Sequence, residues 1–248
     1  MPRNYALIIP ALDEEDSVAD VLKAIPAGLF SEVLVVDNGS RDRTAEVAEQ
    51  AGARVVRERR RGYGQACQAG LRALGNKFDA VAFIGADLSD DPADLTALVC
   101  EYEAGGWDLV MGSRVLGHAE PGALLPLQRF GNALATQLIR WIWDVRFTDL
   151  GPLRLIRREA LGRLGLRDPD FGWTVEMQAK AARLALRMKE IPASYRSRRV
   201  GKSKISGTFG GSVRAGWKIL WTIYRSWRGP TGTRSGADAS RALDAGKN

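Results

Sequence analysis

The stretch FIGADLSDDP, Phe83–Pro92, runs an apolar segment straight into Asp87, Ser89, Asp90 and Asp91. Carboxylates at the end of a buried strand cost free energy unless they hold something. Their oxygens suit a hard divalent cation. A second concentration of charge lies in YRSRRVGKSK, where Arg196, Arg198, Arg199, Lys202 and Lys204 share one Gly- and Ser-containing segment. Guanidinium and ammonium groups at that density neutralise phosphates. Read alone, a charge run of this kind is more often a solvated face, and the anionic partners open to it are nucleic acid, an anionic membrane and a phosphorylated substrate.

Such groups act only if the backbone gathers them. YALIIP, SEVLVVD, ARVVRE, DAVAFIGAD and WDLVMGSR read as strands. Between them DEEDSVADVLKAI, NGSRDRTAEVAEQAG, RRRGYGQACQAGLRALG and DPADLTALVCEYEAG read as turns entering helices. This alternation implies an α/β fold, a Rossmann-like, mostly parallel sheet with helices on both faces. The rhythm breaks after Arg114. A long helix over QRFGNALATQLIRWIWD follows, then a loop, strand and short helix in FTDLGPLRLIRREAL. FGWTVEMQAKAARLALR reads as a helix, MKEIPASYRSR as a strand edge and AGWKILWTIYRSW as a last helix. The expected organisation is one domain over 1–228, with a first half to 115 and a second from 116. The small, polar tail 229–248 is expected to be disordered.

Ligands of open α/β sheets bind outside the carboxyl ends of the strands. The residues there are Pro10, Ala11, Leu12 and Glu14 after the first strand, then Asp37 and Asn38 after the second. Gly62 and Gly64 follow the third, Ala86, Asp87 and Ser89 the fourth, and Gly112 and Arg114 the fifth. Carboxylates, backbone-exposing glycines and arginines make a rim for a nucleotide diphosphate with a divalent cation. IPALDEED has no GxGxxG, and no GxxxxGK[ST] loop exists anywhere in the chain. That argues against a dinucleotide fold and a P-loop NTPase.

The net charge of +7 again calls for an anionic partner. Outside the one basic loop the charge is scattered and no nucleic-acid module is present, so no specific nucleic acid is expected. Cys67 and Cys100 form no CxxC pair, which argues against zinc and for reduced, core-filling thiols in a cytoplasmic chain. His118 sits in GHAEPG and supports no nucleophilic triad. No secretory signal is visible, and no run reaches the roughly 18 to 20 apolar residues of a membrane span. Ala215–Trp227 is apolar but interrupted by Lys218 and Arg225; an interfacial helix and a core-packing helix both fit it.

Four pieces in order, IPALDEED, VVDNGSRDRT, RGYGQACQAGL and GADLSDDP, resemble the nucleotide-sugar half of the family 2 glycosyltransferases of GT-A fold. TDLGPLRLIRREAL, GWTVEM and GKSK resemble the branch that includes dolichyl-phosphate mannose synthases and other polyprenyl-phosphate glycosyltransferases. The resemblance covers about residues 4 to 228. It implies an inverting enzyme moving a hexose, mannose or glucose, from a GDP- or UDP-sugar to a lipid phosphate, peripheral on the inner membrane face, with C-terminal helices on the acceptor side. The same donor half with a soluble or non-phosphorylated acceptor is the alternative within the family. A non-catalytic nucleotide-sugar binder on this scaffold is the alternative outside catalysis.

By that resemblance Pro10, Ala11, Leu12, Glu14 and Asp37 line the nucleoside pocket, with Asn38, Gly64, Ala86 and Arg114 beside the donor. The family's Asp-x-Asp reads Gly85-Ala86-Asp87 here, so its first acid is missing. Asp87 is then the expected ligand of Mg²⁺ or Mn²⁺, with Ser89 adding a hydroxyl. Asp90 or Asp91 is available to replace the lost carboxylate, although Asp91 also suits a helix start. Glu176 and Asp149 are the expected carboxylates for base catalysis or for orienting the acceptor. Arg199, Lys202, Ser203 and Lys204 are the expected grip on the phosphates.

Overall fold

The strands alternate with helices because the central strands are apolar on both faces. In β1 (Tyr5–Ala11), Ala6 and Ile8 join one core cluster and Leu7 and Ile9 the other. A strand buried on both sides needs helices above and below it. The computed structural model describes residues 4–197 and 209–228. β1 is followed by α1 (Val18–Ala24), β2 (Glu32–Asp37), α2 (Thr44–Gln50), β3 (Arg54–Arg57), α3 (Tyr63–Leu74), β4 (Ala80–Phe83), α4 (Asp94–Gly105) and β5 (Leu109–Ser113). The second half adds α5 (Pro126–Trp143), β6 (Arg154–Arg157), α6 (Arg158–Leu164), α7 (Gly172–Arg183), β7 (Met188–Pro192) and α8 (Phe209–Arg228).

The strands make one seven-stranded sheet in the order β3-β2-β1-β4-β6-β5-β7. β6 is antiparallel to both β4 and β5, and the other pairings are parallel. The second half therefore threads its strand between two strands of the first, and the halves share one sheet. α1, α2 and α4 contribute to the core cluster on one face, while α3, α5, α6 and α7 contribute to the other. The chain winds outward in opposite directions from β1 and β4, which makes their carboxyl ends the switch point where such sheets bind ligands.

The thiols do not behave alike. Cys67 is buried in the core as expected, whereas Cys100 is exposed on α4. The segment spanning Ala215–Trp227 belongs to α8, which packs on both α5 and α7. The tail and the loop carrying Arg199, Lys202, Ser203 and Lys204 lie outside the described residues.

Candidate active site

The carboxyl ends of β1 and β4 open onto a cavity of about 670 Å³. Pro10, Ala11, Leu12, Glu14, Asn38, Ala86, Asp87, Ser89 and Arg114 all line it, as the strand-end rule requires. The turns that carry them are bolted together. Asp13 takes a left-handed backbone (φ 49°), its amide donates to Ser40 Oγ at 2.9 Å, and its Oδ1 accepts the Arg41 amide at 2.7 Å. The Glu14 amide donates to Thr44 Oγ1 at 2.7 Å. Asn38 then fixes the next turn: its Oδ1 accepts the Gly62 amide and its Nδ2 donates to the Arg60 carbonyl, both at 2.7 Å.

Four expected residues are not on the cavity wall, and each has a physical reason. Asp37 is buried and its Oδ1 accepts the Ser40 amide at 3.2 Å, a turn-forming contact. Gly64 is a glycine because a Cβ there would overlap the Asp168 carbonyl oxygen, so α3 can approach the loop before α7. Glu176 turns away from the cavity. Its Oε2 accepts the amides of Arg167 and Asp168 at 2.9 and 2.7 Å, and its Oε1 pairs with Lys180 at 2.7 Å. It holds the loop between α6 and α7 and is not presented as a base.

Asp149 is the fourth. Its carboxylate receives Arg114 Nε and Nη2 at 2.7 Å each, and the Arg114 amide at 2.9 Å. Burial by itself raises the Asp149 carboxyl, but this fork from Arg114 outweighs it and holds the group below the ordinary carboxylate value. Asp149 therefore aims Arg114, which does line the cavity, with its guanidinium 4.9 Å above the Tyr195 ring. A pair this enclosed is costly to break, because the surviving charge stays buried. Asp149→Ala is expected to lose about 3–5 kcal/mol of stability. Thermal unfolding should register this as a fall of roughly 10 °C. The depressed carboxyl makes its contribution above the ordinary carboxylate range and loses it on acidification, so wild type and variant should converge in stability well below pH 4.

At the acid cluster, Asp87 Oδ1 accepts the Ser89 amide at 3.0 Å across Leu88, which is forced into a left-handed backbone (φ 56°). Asp91 shapes the turn before α4, its Oδ1 accepting the Ala93 amide at 3.0 Å, and it also pairs with Arg196. Asp90 differs from both. It is buried at the cavity wall, and its Oδ1 has no hydrogen-bond partner; neither does the Oγ of buried Ser89. Burial pushes the Asp90 carboxyl up to about 7, with Arg114 opposing and the Asp87 charge adding to the rise. Among the described residues no three His, Cys, Asp or Glu side chains form a metal-type cluster. A cation here would need ligands from a bound diphosphate as well, which is how Mg²⁺ is usually held.

Sequence reasoning missed Tyr195. It reaches the wall through isolated bridges to Asp90 and Ala119, pairings between segments distant in sequence that no local pattern signals. It also missed what holds the TDLGP loop: Glu190 accepts the amides of Thr148 and Asp149, and Asn132 Oδ1 accepts the Leu150 amide at 2.9 Å.

The family model described as Glycosyl transferase family 2 matches residues 6–165, and so takes in the strand-end turns from β1 to β5. The chain belongs to glycosyl transferase family 2. This transferase is 42% identical over 219 residues to an uncharacterised glycosyltransferase of Mycobacterium tuberculosis, covering 86% of this chain and 96% of that protein. It is 29% identical to a dolichyl-phosphate hexose transferase of Haloferax volcanii, covering 85% of this chain and 90% of the other. Among solved structures, the glucosyl-3-phosphoglycerate synthase of Mycobacterium tuberculosis, in complex with Mn²⁺, UDP-glucose and phosphoglyceric acid, superposes with a TM-score of 0.71 at 24% identity. That superposition covers 93% of this chain and 81% of the synthase. The transferase thus has the GT-A fold expected from its motifs.

Proposed function

We propose that this transferase moves a hexose, mannose or glucose, from a GDP- or UDP-sugar to a polyprenyl-phosphate lipid at a membrane surface. The observation that carries this reading is an apolar strip leading out of the cavity. Leu125 lines the cavity and is also exposed. Leu127, Phe130, Leu134 and Trp141 continue from it along one face of α5, all exposed to solvent. Beside them α8 exposes Trp217, Trp221, Tyr224 and Trp227 while burying Thr222 and Ser226. An exposed helix face more aromatic than the buried one is an inversion of ordinary amphipathicity. Exposed apolar side chains in this number mark an interaction site, and Trp and Tyr suit the lipid headgroup level. Arg225 and Arg228 stand exposed on the same helix, Arg228 over the Tyr224 ring at 5.4 Å, where anionic lipid would attract them. Among the described residues no helix is long and apolar enough to cross a membrane, so the contact would be peripheral.

In this reading Pro10, Ala11, Leu12, Glu14 and Asn38 hold the nucleoside, and Ala86 and Arg114 lie along the diphosphate. Asp87 and Ser89 hold Mg²⁺ or Mn²⁺. The Ser89 hydroxyl, on the same cavity wall as the Asp87 carboxylate, fits an oxygen-seeking cation. When bound, the cation neutralises the leaving diphosphate. The engagement of Glu176 with Lys180 and two backbone amides agrees with an acceptor that is already anionic, since a phosphate oxygen needs no strong base to attack the anomeric carbon.

The test is a transfer assay with labelled GDP- and UDP-hexoses, Mg²⁺ or Mn²⁺, and either short polyprenyl phosphate or phosphoglyceric acid. Label should enter the organic phase with one donor and be lost on chelation. Label appearing only in the aqueous product with phosphoglyceric acid would replace the lipid acceptor by a soluble one. The apolar face has its own check. Trp217→Ser with Trp221→Ser should weaken sedimentation with anionic vesicles by about tenfold per tryptophan, since partial burial of each is worth roughly 1.5 kcal/mol. The melting temperature should hold, because both side chains are exposed in the free protein.

A further inference from the structure

The missing first acid of the Asp-x-Asp leaves a space at Gly85, and a neighbouring side chain reaches it. A Cβ built on Gly85 would stand 3.3 Å from Asp87 Oδ1 and 3.7 Å from Asp90 Oδ2. The Asp90 carboxylate therefore lies within reach of the place an aspartate side chain at position 85 would occupy. It lines the same cavity as Asp87 and Ser89. Its other oxygen, Oδ1, is buried without a hydrogen-bond partner. A buried carboxylate oxygen left unpaired is expensive and calls for an explanation such as an ion. It does not hold the turn before α4: Asp91 does, accepting the Ala93 amide. It is not the anchor of Arg114 either, whose fork is taken by Asp149. What keeps Asp90 at the wall is backbone pairing, a bridge to Tyr195 together with the Arg196 amide on the Ser89 carbonyl at 2.8 Å.

We infer that Asp90 supplies, from beyond the motif, the second carboxylate that Gly85 removed, so that Asp87, Ser89 and Asp90 together receive the divalent cation of the donor. Gly85 and Asp90 are then alternatives for one volume. A side chain at position 85 would stand against Asp87 Oδ1 first, with the Asp90 carboxylate next to it. The inference rests on the proposed cation-dependent donor site, and it concerns only which side chains build that site.

The experiment is a Mn²⁺ titration followed by electron paramagnetic resonance, with UDP at saturation, on the full chain. Wild type should bind one Mn²⁺. Asp90→Asn should weaken that binding at least about tenfold, as loss of a coordinating or closely supporting group does. Its melting temperature should be equal to or above wild type, since a buried negative charge near Asp87 is removed. Gly85→Asp alone should destabilise the protein. Combined with Asp90→Ser it should restore Mn²⁺ affinity, giving a coupling of opposite sign to the single changes. Unchanged Mn²⁺ affinity in Asp90→Asn would overturn the inference, as would a lower melting temperature with affinity intact, which is the mark of a purely structural residue. Failure of the double variant to recover affinity would overturn the claim that Asp90 and an acid at position 85 are interchangeable. If wild type itself bound no Mn²⁺, the cation-dependent donor site would fail first, by a distinct result.

Discussion

Asp87→Ala is expected to lower sugar transfer by about a thousandfold or more, and Asp87→Asn to lower it nearly as far, while both variants fold. Asp87 stands at the carboxyl end of β4, at the switch point, half-buried on the cavity wall. Stabilising the charge that develops on a leaving diphosphate is worth several kcal/mol. Each 1.36 kcal/mol is a factor of ten in rate, so a loss of about 4 kcal/mol gives the thousandfold figure. The effect on folding is far smaller. The carboxylate accepts an amide hydrogen bond from Ser89, a contact worth about 1 kcal/mol net. Asparagine keeps an acceptor for that amide and loses only the charge, which separates loop geometry from electrostatics. Transfer rate and melting temperature measured on both variants decide the matter. A full rate in Asp87→Asn would show that the charge is not needed and would remove the cation from this position.

The first half of the cavity wall was legible because it is local. Each strand ends in a turn whose polar residues stand a fixed few positions after an apolar run, and parallel strands bring those turns to one edge. Pro10, Leu12, Glu14, Asn38 and Asp87 follow from that rule alone. The sheet was legible too, except for β6. A strand entering antiparallel between β4 and β5 leaves no periodic mark; RLIR reads as a strand in either direction. The contacts of the second-half carboxylates were not legible, because type and position do not reveal a partner. Glu176 sits in the first turns of a helix, and there Lys180 one turn on and the amides of Arg167 and Asp168 engage it. Asp149 and Arg114 are 35 positions apart, so their fork is invisible until the chain has folded. Tyr195 is further still from its bridge partner Asp90, and only tertiary pairing carries it to the wall.

Arg154 leads to the second large effect. It is fully buried at the middle of the sheet, paired across β6 to Phe83 and Met111. Its guanidinium donates to carbonyls in two segments, Gly151 and Pro152 (3.3 Å) before β6 and Thr174 (3.2 Å) in α7. Pro152 and Thr174 line the cavity, so one planar fork holds two parts of its wall. Burial presses this guanidinium below its ordinary value. Lysine would keep the cost of a buried charge but present a compact point charge unable to span the same carbonyls. Arg154→Lys is therefore expected to lose about 3 kcal/mol, from carbonyls left without donors at roughly 1–3 kcal/mol each. Arg154→Met removes the charge along with the donors. The desolvation penalty of a buried ion is itself several kcal/mol, so the two terms oppose and methionine should be the more stable of the variants. Both should lose about a hundredfold in kcat/KM, since a displacement of the wall by 1 Å is enough for that. Thermal unfolding of the pair, read beside their kinetics, tests the order. If lysine proved as stable as arginine, a charge alone would suffice at this position, and the fork geometry would not be what holds the two segments together.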